Sequence, residues 1–189
     1  MIAHCPQQVR VQATTTATTY AVVTLTECGR RVAGPWRARV GWGGLSAHHH
    51  EGDGTTPLGT FRIGATVYGI ARDPGTALRY HRLVCGDWWD EDARSPTYNE
   101  FRHVACGRAP PFAGGSEALW QATVAYREFA VVEYNASPRV AGRGSGIFLH
   151  DDTGRATNGC ISLPRPSLLR LLRLLRPDAT IAIRLDLHK

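Results

Sequence analysis

Glycine and proline punctuate this chain from end to end: 20 Gly and 11 Pro are spread through 189 residues instead of gathering in one linker. Between them lie short stretches rich in β-branched residues. That arrangement suits many strands joined by turns better than a helical bundle, because glycine supplies the turn conformations and proline interrupts ladders and helices. With 43% hydrophobic residues the chain can bury one good core and is short for two. A mainly β protein is expected.

The stretches "QVRVQA" and "YAVVTLTEC", separated by "TTTATT", predict two strands of a hairpin-rich unit. "WRARVGWGG", residues 36 to 44, predicts a third with one wet face. Residues 48 to 64, "HHHEGDGTTPLGTFRIG", read as a loop entering a short apolar strand. Residues 71 to 118 are turn-rich and predict a long irregular excursion with little regular structure. "EFAVVEYN" (128 to 135) and "GSGIFLH" (144 to 150) restore strand patterns, the second delivering His150 at its end. In "PRPSLLRLLRLLRPD" six leucines, Leu168 to Leu175, alternate with Arg170, Arg173 and Arg176, a short amphipathic helix stopped by Pro177. "ATIAIRLDL" closes the chain as a strand.

A net charge of +6 favours an anionic partner: nucleic acid, anionic lipid or an acidic wall polymer. No aromatic-interleaved basic stripe, zinc-finger spacing or phosphate-binding glycine loop accompanies the charge, so nucleic-acid binding is not expected. No apolar run reaches the roughly 18 residues of a membrane span, and no charged leader precedes the first strand of the sequence as given. The helical arginines read as a solvated face. His48, His49 and His50 are adjacent, and consecutive side chains of a strand diverge, so neither a metal site nor a cofactor is expected.

Five cysteines, Cys5, Cys28, Cys85, Cys106 and Cys160, include no CxxC pair. The odd count suits two disulfides and one free thiol in an exported protein, or five thiols in the cytosol. The segment "LHDDTGRATNGCISLP", residues 149 to 164, holds His150 and Cys160 around a polar, Gly-bearing stretch that can fold back. A neighbouring imidazole makes a thiol a nucleophile. Gly159 lets the chain turn so that its amide and that of Cys160 face one point, as an oxyanion hole requires. Spacing alone equally allows a buried strand cysteine and a histidine satisfied by backbone.

Two segments, "GDGTTPLGTFRIG" and "GSGIFLHDDTGRATNGCISLP", resemble the entry motif and the histidine-to-GC catalytic motif of the YkuD-type L,D-transpeptidases. "DPGTALRYHRLVCGDWWDEDARSPTYNEF" and "VVEYN" are similar to an exported actinobacterial branch of that family. The resemblance implies a mainly β, sandwich- or barrel-like catalytic fold with a short helix after the cysteine. It covers residues 20–189 as one catalytic domain, with 1–19 an N-terminal segment that includes a possible first strand.

Carried over by position, the resemblance implies Cys160 as acyl-accepting nucleophile and His150 as its base. The backbone carbonyl of Asp151 would orient the imidazole, and Gly159 would supply oxyanion-hole backbone. Asn158 stands where the family has a second histidine, Ser162 where it commonly has an arginine, and the His-to-Cys spacing is short. Asn158, Arg155 and Ser162 are the substrate-binding candidates, and Arg143 or Arg62 could replace the missing arginine. The implied chemistry is a thioester with a peptidoglycan tetrapeptide stem, passed to an amine without any cofactor, by an exported, wall-located monomer that carbapenem-type β-lactams could acylate. Cys5–Cys28 and Cys85–Cys106 would then be the disulfides. A carboxypeptidase or amide hydrolase using the same site, and a non-catalytic wall-binding module, are the alternatives.

Overall fold

Alternating burial shapes the first three strands, β1 (Gln7–Ala13), β2 (Tyr20–Glu27) and β3 (Arg30–Arg39), in a computed structural model that describes residues 5–113 and 115–186. Val9, Val11, Ala13, Val23 and Leu25 face inward, and Arg10 and Val22 face out. The three strands are antiparallel neighbours. At the β2–β3 turn Cys28 and Gly29 have φ of 48° and 74°, the left-handed pair that matches a hairpin's twist.

The short β4 (Leu45–Ser46) and β5 (Thr56–Pro57) pair in parallel and lead into β6 (Gly59–Gly69). At 11 residues β6 runs well beyond the short apolar stretch expected there, because several of its outward positions carry Thr, Arg and Ala. Then follow β7 (Arg79–Arg82), β8 (Asp87–Asp90), β9 (Glu100–His103) and β10 (Glu117–Ala118). After one 3-10 turn at Leu119–Gln121 come β11 (Phe129–Val132), β12 (Phe148–Asp151) and β13 (Ile161–Leu163). Helix α1 (Arg165–Leu174) and β14 (Thr180–Leu185) complete the fold. Leu187, at the end of the last expected strand, lies outside the described residues.

The main sheet has nine strands in the order β11-β12-β13-β3-β2-β1-β14-β6-β7, and β11 also pairs with β6. That pairing closes the sheet into a barrel and leaves β7 outside the ring, in agreement with the mainly β, barrel-like expectation. The interior is aliphatic, and α1 adds Leu168, Leu171 and Leu172, all at 0% exposure. Leu174 lies outside this face at 42% exposure. Two helix-end arginines are tethers and not free charges: Arg173 donates to the Pro74 carbonyl at 2.6 Å and Arg176 to that of Cys5 at 2.8 Å.

The excursion at 71–118 is more ordered than its composition predicts. β10, β8 and β9 form a three-stranded sheet of their own. Its strands are two to four residues long and rich in Asp, Glu and Trp, so no alternation is readable over their length. Order comes instead from long-range fastening. A Cys85–Cys106 disulfide brackets β8 and β9, and buried Asp87 accepts from His81 at 2.8 Å and His103 at 2.7 Å. Trp89, Tyr126, Phe129 and Phe148 fuse this sheet to the barrel through a second, aromatic core that includes Cys160. Cys5–Cys28 is the other disulfide, so Cys160 is the free thiol.

Candidate active site

The strands β12 and β13 run side by side in parallel, with His150 opposite Ser162, so Cys160 arrives just ahead of β13 beside the strand that carries His150. The turn that presents it requires glycine. Gly159 has φ of 120°, and a Cβ there would lie 2.8 Å from the Thr55 carbonyl. Thr157 Oγ1 donates to the Cys160 carbonyl at 2.6 Å, and the Gly159 N–H donates to the same hydroxyl at 3.2 Å. The Gly159 amide is therefore engaged.

Cys160 is 8% exposed. Its sulfur accepts the Phe148 N–H at 3.3 Å and donates to the Gly146 carbonyl at 3.2 Å. Burial, with Glu117 nearby, pushes the thiol well above its ordinary range. His150, 6% exposed, has Nδ1 at 2.7 Å from the Asp151 carbonyl oxygen. A carbonyl only accepts, so Nδ1 carries the proton and Nε2 keeps its lone pair. Burial lowers the imidazole to about 4, which leaves it neutral near pH 7. Tyr126 stands edge-on to this ring at 5.9 Å. Thiol and imidazole are thus each neutral at rest.

The Asp151 side chain belongs to a different group. It is buried with Glu128 under the part-exposed Arg165, whose Nη2 lies 2.6 Å from Glu128 Oε1 and whose Nε lies 3.8 Å from Asp151 Oδ2. Burial, and then Glu128, push this carboxyl up to about 7.

A cleft of about 460 Å³ opens at Cys160. Trp42, Glu51, Glu91, Glu117 and Asn158 line it with the thiol. Among the remaining candidates, Arg155 is exposed and lies outside the lining. Ser162 is fully buried and donates to Asp152 Oδ1 at 3.3 Å, away from the cleft. Arg62 pairs with Glu133 at 3.6 Å, and Arg143 is exposed, so neither reaches the lining either.

Sequence reasoning missed the acidic walls. It also missed His49, which is buried against Gly144 and Gly159, with Nδ1 at 2.9 Å from Asp53 Oδ1 and 3.0 Å from Thr55 Oγ1. Its neighbours His48 and His50 are exposed, so the three rings do not converge. The one signal in the sequence was Asp53 within the turn "HHEGD", which could fold back onto the middle histidine.

A closed mixed β barrel thus carries the free Cys160 just ahead of β13 and the carbonyl-bonded His150 on the neighbouring strand β12. The chain belongs to the YkuD family: residues 11–183 match its L,D-transpeptidase catalytic domain, a family that acts on peptidoglycan. No curated protein matches the chain. Among solved structures it is similar to the helical cell shape determining protein Pgp2 from Campylobacter jejuni, at 13% identity and a TM-score of 0.45, over 97% of this chain and 49% of that one. A mutant of the same protein gives 13% identity and a TM-score of 0.44, over 97% and 48%. The chain thus spans about half the length of these structures.

Proposed function

We propose that the protein is an exported L,D-transpeptidase acting on peptidoglycan stem peptides, with Cys160 as nucleophile and His150 as base. The observation that carries the reading is the free thiol at the floor of an open cleft, beside a strand whose neutral histidine has its tautomer fixed by a backbone carbonyl. The thiol proton passes to His150 Nε2 as sulfur attacks the donor carbonyl, and the Cys160 amide receives the developing oxyanion. Collapse breaks the peptide bond, and the imidazolium returns its proton to the departing D-alanine amine. An acceptor amine then attacks the thioester carbon, forming an amide and releasing the thiol.

Export is supported by the two disulfides, which persist outside the reducing cytosol. No helix among the described residues is long and apolar enough to cross a membrane. Acylation of Cys160 by a carbapenem, a monomeric state and descent from the exported actinobacterial branch are part of the same proposal, the last resting on the sequence resemblance alone.

The deciding experiment is mass spectrometry of products from purified disaccharide-tetrapeptide, with Cys160→Ala as control. A crosslinked dimer formed only by the unmutated protein establishes transpeptidation. D-alanine release without a dimer makes the protein a hydrolase, and unchanged substrate makes it a binding module.

A further inference from the structure

The walls of the Cys160 cleft contradict the chain's overall charge. The protein is net positive by six charges, yet the titratable side chains lining this cleft beside the thiol are the carboxyls of Glu51, Glu91 and Glu117, with no Arg, Lys or His among the described lining residues. Two of the three are engaged: Glu51 accepts from Ser145 Oγ at 2.7 Å and from Tyr98, and Glu117 accepts from the Tyr126 hydroxyl. The Glu91 carboxyl has no hydrogen-bond donor among the described residues, and it packs so closely on Gly146 that a Cβ there would meet Oε1 at 2.0 Å. Gly146 is also the residue whose carbonyl holds the Cys160 thiol. One backbone unit therefore separates this carboxyl from the nucleophile. At the mouth Trp42 exposes an indole, 59% accessible, a face suited to a cation.

Resting on the thioester reading above, we propose that the Glu91–Glu117 pair is the acceptor seat: it receives a cationic primary amine and takes the proton that amine must lose before attacking the Cys160 thioester. The step balances. The ammonium gives one proton to the carboxylate pair, the neutral amine forms the C–N bond, the C–S bond breaks, and the second amine proton returns to sulfur. His150, neutral and committed through Nδ1 to Asp151, is left to serve the acylation half.

Burial and mutual repulsion support the role. Glu91 is pushed up to about 9, chiefly by burial and then by Glu117, Glu51 and Asp90, and Glu117 is raised as well. An ordinary carboxylate near 4 is a poor base for an ammonium near 10, whereas a carboxyl lifted to this range is closely matched to it. A pair this crowded gains by accepting a cation.

The test uses the acyl-enzyme itself. The protein and its Glu91→Gln and Glu117→Gln variants are acylated with tetrapeptide donor, and the adduct is measured by intact mass before any nucleophile is added. It is then chased with an equal mixture of lysine amide, a cationic amine, and hydroxylamine, which is uncharged near neutral pH. The expected result is a ratio of amine to hydroxylamine product at least about tenfold lower in either variant, with the unmutated protein's amine transfer still rising towards pH 9. A ratio unchanged in both variants overturns the inference and leaves the thioester intact. Absence of an adduct on the unmutated protein overturns the thioester reading, and this inference with it.

Discussion

The thiol of Cys160 donates to the carbonyl oxygen of Gly146 at 3.2 Å. A sulfur held this way, buried and beside acidic side chains, is a protonated thiol at rest and not a thiolate. Iodoacetamide should therefore label Cys160 slowly at pH 7, with a rate still climbing at pH 9. Glu91→Gln should leave the rate at pH 7 unchanged and speed labelling severalfold at pH 9 and above, where the native carboxyl ionises beside the thiol. A rate that levels off below pH 7 would show a preformed thiolate.

Cys160→Ala should abolish thioester formation and cost little stability, since it removes one atom from the edge of the aromatic core. His150→Ala should slow acylation by at least about a hundredfold, the scale of losing a general base. Burst amplitude and acylation rate, read by intact mass, check both.

Because a carbonyl orients His150, the neighbouring side chains are dispensable for that task. Asp152→Asn should leave the acylation rate within about threefold, and Asp151→Asn should affect stability through the Glu128–Arg165 group more than it affects rate. A hundredfold loss of rate in either variant, with the fold intact, would restore a carboxylate to the catalytic group.

Stability should respond to pH in two opposed ways. His150 falls from 6.5 to about 4 on folding, so the unfolded chain binds its proton first. Stability is complete above pH 6.5 in this respect and declines as pH drops towards 4, by about 3 kcal/mol if burial persists. Glu91, raised from 4.5 to about 9, acts the other way, costing stability progressively as pH climbs between those values. Glu91→Gln should therefore stabilise the protein at pH 8, by at least about 2 kcal/mol, and make no difference below pH 4.5. Urea titrations at both pH values give the comparison.

Replacing both Cys85 and Cys106 by serine should cost about 3 kcal/mol, the loop-closure value for their separation of 21 residues. The bridge clamps β8 and β9, and Glu91 follows β8 directly, so amine transfer should fall before the fold is lost. Retained transfer with lowered stability would separate the acceptor wall from the bridge.

The legible parts of this molecule are the ones built from local pattern. Val9, Val11 and Ala13 alternate with polar neighbours, the leucines of α1 repeat at helical spacing, and the segment from His150 to Cys160 sits between two apolar strands. The acidic wall could not be read the same way. Glu91 and Glu117 are distant in sequence and meet because Glu117 pairs opposite Trp89 and the Glu91 amide donates to Ser116 Oγ at 3.0 Å. In isolation "DWWDED" reads only as part of a turn-rich excursion. Ser162 illustrates the converse. Two residues after a strand cysteine, it should share that cysteine's face. Cys160 lies before β13 begins, after a left-handed glycine, so the alternation does not extend back to it, and Ser162 turns to Asp152 instead.

The pairing of β14 with both β1 and β6 carries a consequence for synthesis. The ring cannot shut until residues 180 to 185 have left the ribosome or translocation channel, whereas all five cysteines precede them. During that interval Cys160 competes with four other thiols for oxidation. The order in which hairpins dock thus decides whether the nucleophile survives unpaired, and a host that oxidises cysteines faster than the last strand can arrive will make inactive isomers of an intact sequence.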